Sequence, residues 1–230
     1  MLSAWSILAG ERAVAATPIS SAIPVRDVRV LLAGGASRVR VTSSAPVKIL
    51  SGDARTLGEI PSAAGSIFTP EANLSIRWQD QAVLAATLKL EPQRDTPLEV
   101  SFDREGDWTE PTTFLGALRL RSVEGGGLEV INEVDLEHYV GCVVGNEVWP
   151  TFGVEAFRAQ AIVARTFVLY QMTRRPDAVV DVSATQGSQV YRGVRDDPVG
   201  RKAVEAAEYT RGLVLTHDDK GTPRIFCTYY

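Results

Sequence analysis

The sequence predicts an α+β fold, and three observations predict it. Short alternating strands fill the first half, helical periodicity starts only near residue 135, and strands return at the end. The expected architecture is a β-rich N-terminal region over residues 25–115, then helices packed on a mostly antiparallel sheet over 116–230. Residues 1–24 stand apart. Trp5 to Gly10 is apolar and Ala13 to Ala16 is small, but no basic residue precedes them and Glu11 and Arg12 interrupt them. Both a flexible tail and a degraded export signal fit that grammar.

The elements follow in order. Val25 to Leu31 and Ser37 to Thr42 alternate apolar and polar residues, with a turn expected at Gly34-Gly35. Further strands are expected at Ser75–Trp78, Ala82–Leu90 and Leu98–Phe102, and a loop or boundary at Glu105–Thr113. A hairpin is expected around Gly125-Gly126-Gly127. Asp135 suits the N-cap of a short helix carrying Leu136, Tyr139, Val140 and Val143, which Gly145 should end. Val154 to Thr173 reads as a helix apolar on most sides, hence buried. Its Arg158, Gln160 and Arg165 either satisfy nearby carbonyls or belong to a site. A polar loop is expected over Asp181–Gly193. Asp197 and Pro198 open a helix to Tyr209, and Leu213–Thr216, a turn over His217–Thr222 and a strand over Ile225–Tyr230 complete the chain. That apolar ending reads as a chain cut short.

Composition narrows the function. A length of 230 residues fits one large or two small domains, and 45% hydrophobic residues support a real core. A net charge of -4 offers no electrostatic footprint for nucleic acid. No apolar run approaches the roughly 20 residues of a membrane span. Cys142 and Cys227 form no Cys-x-x-Cys pair. They are two small buried residues or a disulfide. No phosphate loop, dinucleotide motif, zincin motif or nucleophile elbow is present. His138 and His217 lack a companion nucleophile and read as structural or solvated. Glu147 is the best chemical candidate. Flanked by Val148 and Trp149, it is expected between apolar walls, which disfavour a charged carboxylate. A glutamic acid kept protonated can donate to a glycosidic oxygen. A capping or solvated carboxylate is the plainer alternative.

Four ordered motifs carry a resemblance: the run Val134 to Glu147, Trp149-Pro150 with the helix Glu155 to Phe167, Gln189-Val190-Tyr191-Arg192-Gly193, and Thr210-Arg211-Gly212-Leu213-Val214-Leu215. Together they resemble the SpoIID/LytB domain of stage II sporulation protein D. The resemblance implies action on peptidoglycan glycan strands outside the cytoplasm, in concert with other wall hydrolases. It implies either lytic transglycosylase chemistry with Glu147 as the catalytic acid, or a non-catalytic wall-binding or amidase-enhancing role. It points to Gln160, Arg165, Gln189 and Tyr191 as substrate-binding residues. No cofactor and no metal are expected, because Ser183, Gly187 and Ser188 stand where zinc-binding members carry Cys and His. The family domain also continues past the final strand with a small Ser- and Gly-rich segment, where this chain ends at Tyr229-Tyr230.

Overall fold

The computed structural model describes residues 14–18, 26–79, 81–83, 85–93, 96–104, 106–184 and 189–228. Its strands are β1 (Val14–Pro18), β2 (Val28–Ala36), β3 (Val39–Ser43), β4 (Val47–Ser51), β5 (Thr56–Ile60), β6 (Ser66–Pro70), β7 (Ile76–Trp78), β8 (Gln81–Val83), β9 (Thr87–Pro92), β10 (Leu98–Arg104), β11 (Asp107–Trp108), β12 (Thr112–Phe114), β13 (Ala117–Ser122), β14 (Leu128–Val134), β15 (Val182–Ser183), β16 (Leu213–Asp219) and β17 (Thr222–Ile225). The helices are α1 (Leu136–Glu147), α2 (Val154–Arg174) and α3 (Pro198–Tyr209). The fold is α+β, with mostly antiparallel sheets.

One sheet runs β15-β2-β14-β13-β9-β4-β5, so it draws strands from both sides of residue 116. A second runs β11-β10-β3-β6-β7-β8, with β12 also on β10, and a small third runs β1-β16-β17. Alternation explains the first two. Val28, Val30 and Leu32 point inward on β2, as do Val39 and Val41 on β3. Strand β14 is different, because Ile131 and Glu133 are buried along with Leu128, Val130 and Val134. A strand covered on both faces reads as a near-continuous apolar run. The sheets and helices share one apolar core.

Several boundaries differ from expectation. Strand β2 runs through Gly34-Gly35, and the bend falls at Ser37. A Cβ on Gly127 would meet Gly35 at 2.6 Å, and the β2–β14 register shifts at this point, so the glycines serve a bulged close approach. Helix α1 continues past Gly145 to Glu147. Gly145 lies against α3, where an added Cβ would sit 3.4 Å from the Ala203 Cβ, so its small size brings two helices together. Strand β16 extends through His217 to Asp219, with the turn at Lys220-Gly221 and β17 beginning at Thr222. Residues 229–230 of the expected last strand lie outside the described residues, as do residues 1–13 and 19–24 of the expected tail or signal and Val25 of the expected strand after it. Cys142 and Cys227 are both free, and burial pushes the Cys142 thiol up to about 12.

Ion pairs at Asp181 and between Arg165 and Glu137 tie the layers. Asp181, its side chain fully out of solvent, receives Arg26 and Arg29 and accepts the backbone N–H of Arg29 at 2.9 Å. Its own N–H donates to the Arg29 carbonyl, which docks β15 parallel to β2 inside the segment expected to be a loop. Burial alone would raise this carboxyl, but the bonds from Arg26 and Arg29 outweigh it and hold it down to about 2. Arg165 is 0% exposed. Its Nε donates to Glu137 Oε1 at 3.0 Å and Nη2 to Glu137 Oε2. The remaining donors reach the carbonyls of Ala207 (2.9 Å) and Leu213 (3.1 Å). One guanidinium therefore joins α1, α2, α3 and β16.

These pairs set two expectations. Glu137→Ala, which strands the Arg165 charge, should cost about 3–5 kcal/mol of unfolding free energy, and the apolar double variant Glu137→Leu/Arg165→Met should recover much of it in urea denaturation. Because the Asp181 carboxyl is depressed in the fold, its contribution is present above about pH 4 and is lost as pH falls toward 2. Wild type should lose about 2 kcal/mol more than Asp181→Asn across that window.

Candidate functional site

Helix α1 is capped by Asp135, whose Oδ1 accepts from the N–H groups of Glu137 (2.9 Å) and His138 (3.2 Å). Twelve residues later it delivers Glu147 as its final helical residue, half-buried. Glu147 Oε1 accepts the backbone N–H of Val190 at 2.9 Å, and Oε2 accepts Gln160 Nε2 at 3.1 Å. Three separate pieces of chain, α1, α2 and the segment after β15, thus meet at one carboxyl group. Among the described residues Glu147 has no cationic partner. Arg158 pairs with Glu155, Arg165 with Glu137, and Arg195 with Asp197. The apolar walls expected around Glu147 are not what surrounds its oxygens: two neutral N–H donors do, and Trp149 is 71% exposed.

The segment 189–194 alternates inward and outward, and this aims Val190. Gln189 is buried, and its Oε1 accepts the Tyr139 hydroxyl at 2.8 Å. Tyr191 is buried, stacks on Tyr139 at 5.2 Å between centroids, and donates its hydroxyl to Asn132 Oδ1 at 2.6 Å. Burial lifts the Tyr191 hydroxyl well above its ordinary range, so it remains a donor. Asn132 in turn donates to the carbonyls of Leu115 (2.9 Å) and Ala117 (3.0 Å). Gly193, at φ 73°, presses on the Thr113 carbonyl, which a Cβ would meet at 2.2 Å. The side chains of Gln189 and Tyr191 point inward, and the N–H of Val190 between them faces Glu147.

The structure therefore divides the expected site residues. Glu147 and Gln160 come together at half-buried positions. Gln189 and Tyr191 stand one layer behind, as the anchors of Val190. Arg165 lies in the interior with its donors engaged inside the protein, so a ligand in solvent does not reach it. Its place is in the helix clamp. Asn132 and the Val190 N–H were missed. Asn132 carried a signal, since it occupies an inward position in the apolar run Leu128, Val130, Val134. A backbone N–H carries none. His138 sits beside Asp135 and His217 packs edge-on to Phe226 at 5.9 Å, both away from Glu147's hydrogen-bond partners. Ser183 pairs in β15, whereas Gly187 and Ser188 lie outside the described residues.

Chemically, the group is a carboxyl that can change protonation without stranding its neighbours. A side-chain amide presents either N–H or C=O after a half-turn, so Gln160 suits both an ionised and a protonated Glu147. The Val190 N–H can only donate, which leaves Oε2 as the oxygen able to carry a proton.

Comparisons with known proteins agree with this region. The model of the stage II sporulation protein family, SpoIID, matches residues 124–217. A Bacillus subtilis stage II sporulation protein D is 31% identical over 103 residues, covering 39% of this chain and 30% of the relative. Its Bacillus amyloliquefaciens counterpart is 31% identical over 153 residues, covering 61% and 43%. A Brachyspira hyodysenteriae protein described as uncharacterized is 33% identical over 95 residues, covering 38% and 26%. The matches span less than half the length of each of these relatives. The segment 124–217, which holds Glu147, Gln160 and the anchored residues 189–194, belongs to the stage II sporulation protein (SpoIID) family.

Proposed function

We propose that this domain cleaves the glycan strands of peptidoglycan, outside the cytoplasm, by lytic transglycosylase chemistry with Glu147 as acid and base. Family membership supports the coarser part, a sporulation-related role at the cell wall. The observation that carries the finer part is Glu147 itself: a half-buried carboxyl held at both oxygens by neutral donors, with no cation paired to it among the described residues. A protonated Glu147 gives its Oε2 proton to the glycosidic oxygen as the bond to the anomeric carbon breaks. The positive charge that develops at that carbon is met by the carboxylate left behind. The carboxylate then takes a proton from the sugar's own 6-hydroxyl, whose oxygen closes on the anomeric carbon. The products are a 1,6-anhydro end and a new free hydroxyl, and Glu147 is protonated again. One carboxyl acting twice needs no second carboxylate, unlike the paired hydrolases. Gln160 follows the change by turning its amide.

The same two bonds favour a second reading. A carboxylate with both oxygens engaged inside the protein also suits a structural residue, in a module that binds wall and modulates an amidase or another wall hydrolase.

The test is digestion of purified peptidoglycan, with and without stem peptides, with mass analysis of the soluble products. Anhydromuramyl products should appear with wild type and fall by about 10²-fold or more in Glu147→Gln. Gln160→Leu should lower kcat by roughly tenfold, with KM little changed. Binding to the glycan without any products from wild type would support the second reading instead.

A further inference from the structure

We propose that the connector between α1 and α2 is a sugar subsite, in which Trp149 offers its ring to the apolar face of a pyranose. The proposal rests on the reading of Glu147 above. Its first support is exposure. Trp149 is 71% exposed, Phe152 52% and Val154 42%, all within six consecutive residues. Single exposed apolar residues are ordinary, but a cluster of large ones on one short connector marks a recognition surface.

The second support is shape. The connector is held by backbone bonds from Phe152 N to the Trp149 carbonyl (3.0 Å) and from Ala156 N to the Gly153 carbonyl (3.1 Å). Lys202 of α3 donates its ammonium to the Phe152 carbonyl and lies 4.2 Å from the centroid of the Phe157 ring. A connector backbone already held in the free protein costs less to order when a ligand arrives.

The third support is place. Trp149 follows Glu147 by two residues, so their Cα atoms lie within about 7 Å of each other. That spacing keeps the connector within reach of a glycan strand whose glycosidic bond lies at the carboxyl.

These features favour a sugar over a protein partner. Pyranose rings have C–H faces and hydroxyl edges, which suits flat aromatics bordered by polar groups. Here the exposed Thr151 and Glu155 flank the aromatics in sequence, and Lys202 reaches the Phe152 carbonyl. A stable protein interface covers about 800 Å² per partner with few charges at its centre, and a connector this short between charged helix positions is a poor match.

The test uses Glu147→Gln, which stops turnover, as the parent. Its affinity for soluble peptide-free peptidoglycan strands is compared with that of Glu147→Gln/Trp149→Ala and Glu147→Gln/Trp149→Phe. Melting temperatures should agree, since Trp149 is mostly in solvent. The alanine variant should bind about tenfold or more weakly, by analogy with aromatic stacking on nucleotide bases, and the phenylalanine variant should keep most of the affinity. Trp fluorescence should shift on glycan addition in the parent and not in the alanine variant. Equal affinity in parent and alanine variant overturns the subsite while leaving the Glu147 reading intact. A parent that binds no glycan overturns both. An alanine variant that loses self-association in light scattering, with unchanged glycan affinity, assigns the connector to contact between copies and overturns the proposal.

Discussion

The buried pair of Arg165 and Glu137 sets the frame on which everything else in the helical half depends. Glu137 lies ten residues before Glu147 on α1, and Gln160 lies five residues before Arg165 on α2. The ion pair therefore fixes the relative position of the two helices at one end, and the Glu147–Gln160 contact stands at the other. With a rise of about 1.5 Å per residue, the two are roughly 15 Å apart along α1. A charge out of water is tolerated only where its donors are satisfied, and the carbonyls of Ala207 and Leu213 complete that requirement. The same carbonyls bind α3 and β16 into the frame. An apolar side chain would pack these elements without telling them apart, whereas a planar fork accepts very few arrangements.

A second polar system does for the segment after β15 what the clamp does for the helices. The Tyr139–Gln189 and Tyr191–Asn132 bonds lie in the interior, where an unmade bond is expensive. Each therefore discriminates strongly against displaced backbones. Between them the Val190 N–H is held on Glu147 at 2.9 Å. The carboxyl is thus met from two sides, by the anchored Val190 N–H and by the Gln160 amide.

Much of this was legible in the chain. Asp197 and Pro198 mark the start of α3, and its Asp197 cap to Gly200 N is as the residue types suggest. The periodicity of α2 gives its extent almost to the residue. What was not legible is non-local. Gly145 has the same appearance whether it ends a helix or admits a neighbouring one, and only the position of Ala203 decides. Arg165 in an apolar helix needs a partner, but that partner lies 28 residues earlier. Gln189 and Tyr191 share a motif with Val190, and the motif does not say that the side chains anchor while the backbone between them makes the contact. Strand β6 was missed because Ser66 and Pro70 weaken the pattern of a segment held by its neighbours β3 and β7.

The pairing of β2 with β14 has a consequence for how the chain comes to be folded. Val28–Ala36 is made before its antiparallel neighbour Leu128–Val134, which is about a hundred positions further on. During synthesis the earlier strand of the pair leaves the ribosome with an open edge and an apolar face, and waits for most of the β-rich region to follow. Closing so long a loop is entropically slow, and sheets assembled this way form later than helices built from local contacts. The waiting edge is where two nascent chains would pair with each other. The demand on the cell is therefore kinetic, a protected interval between the first strand and its partner.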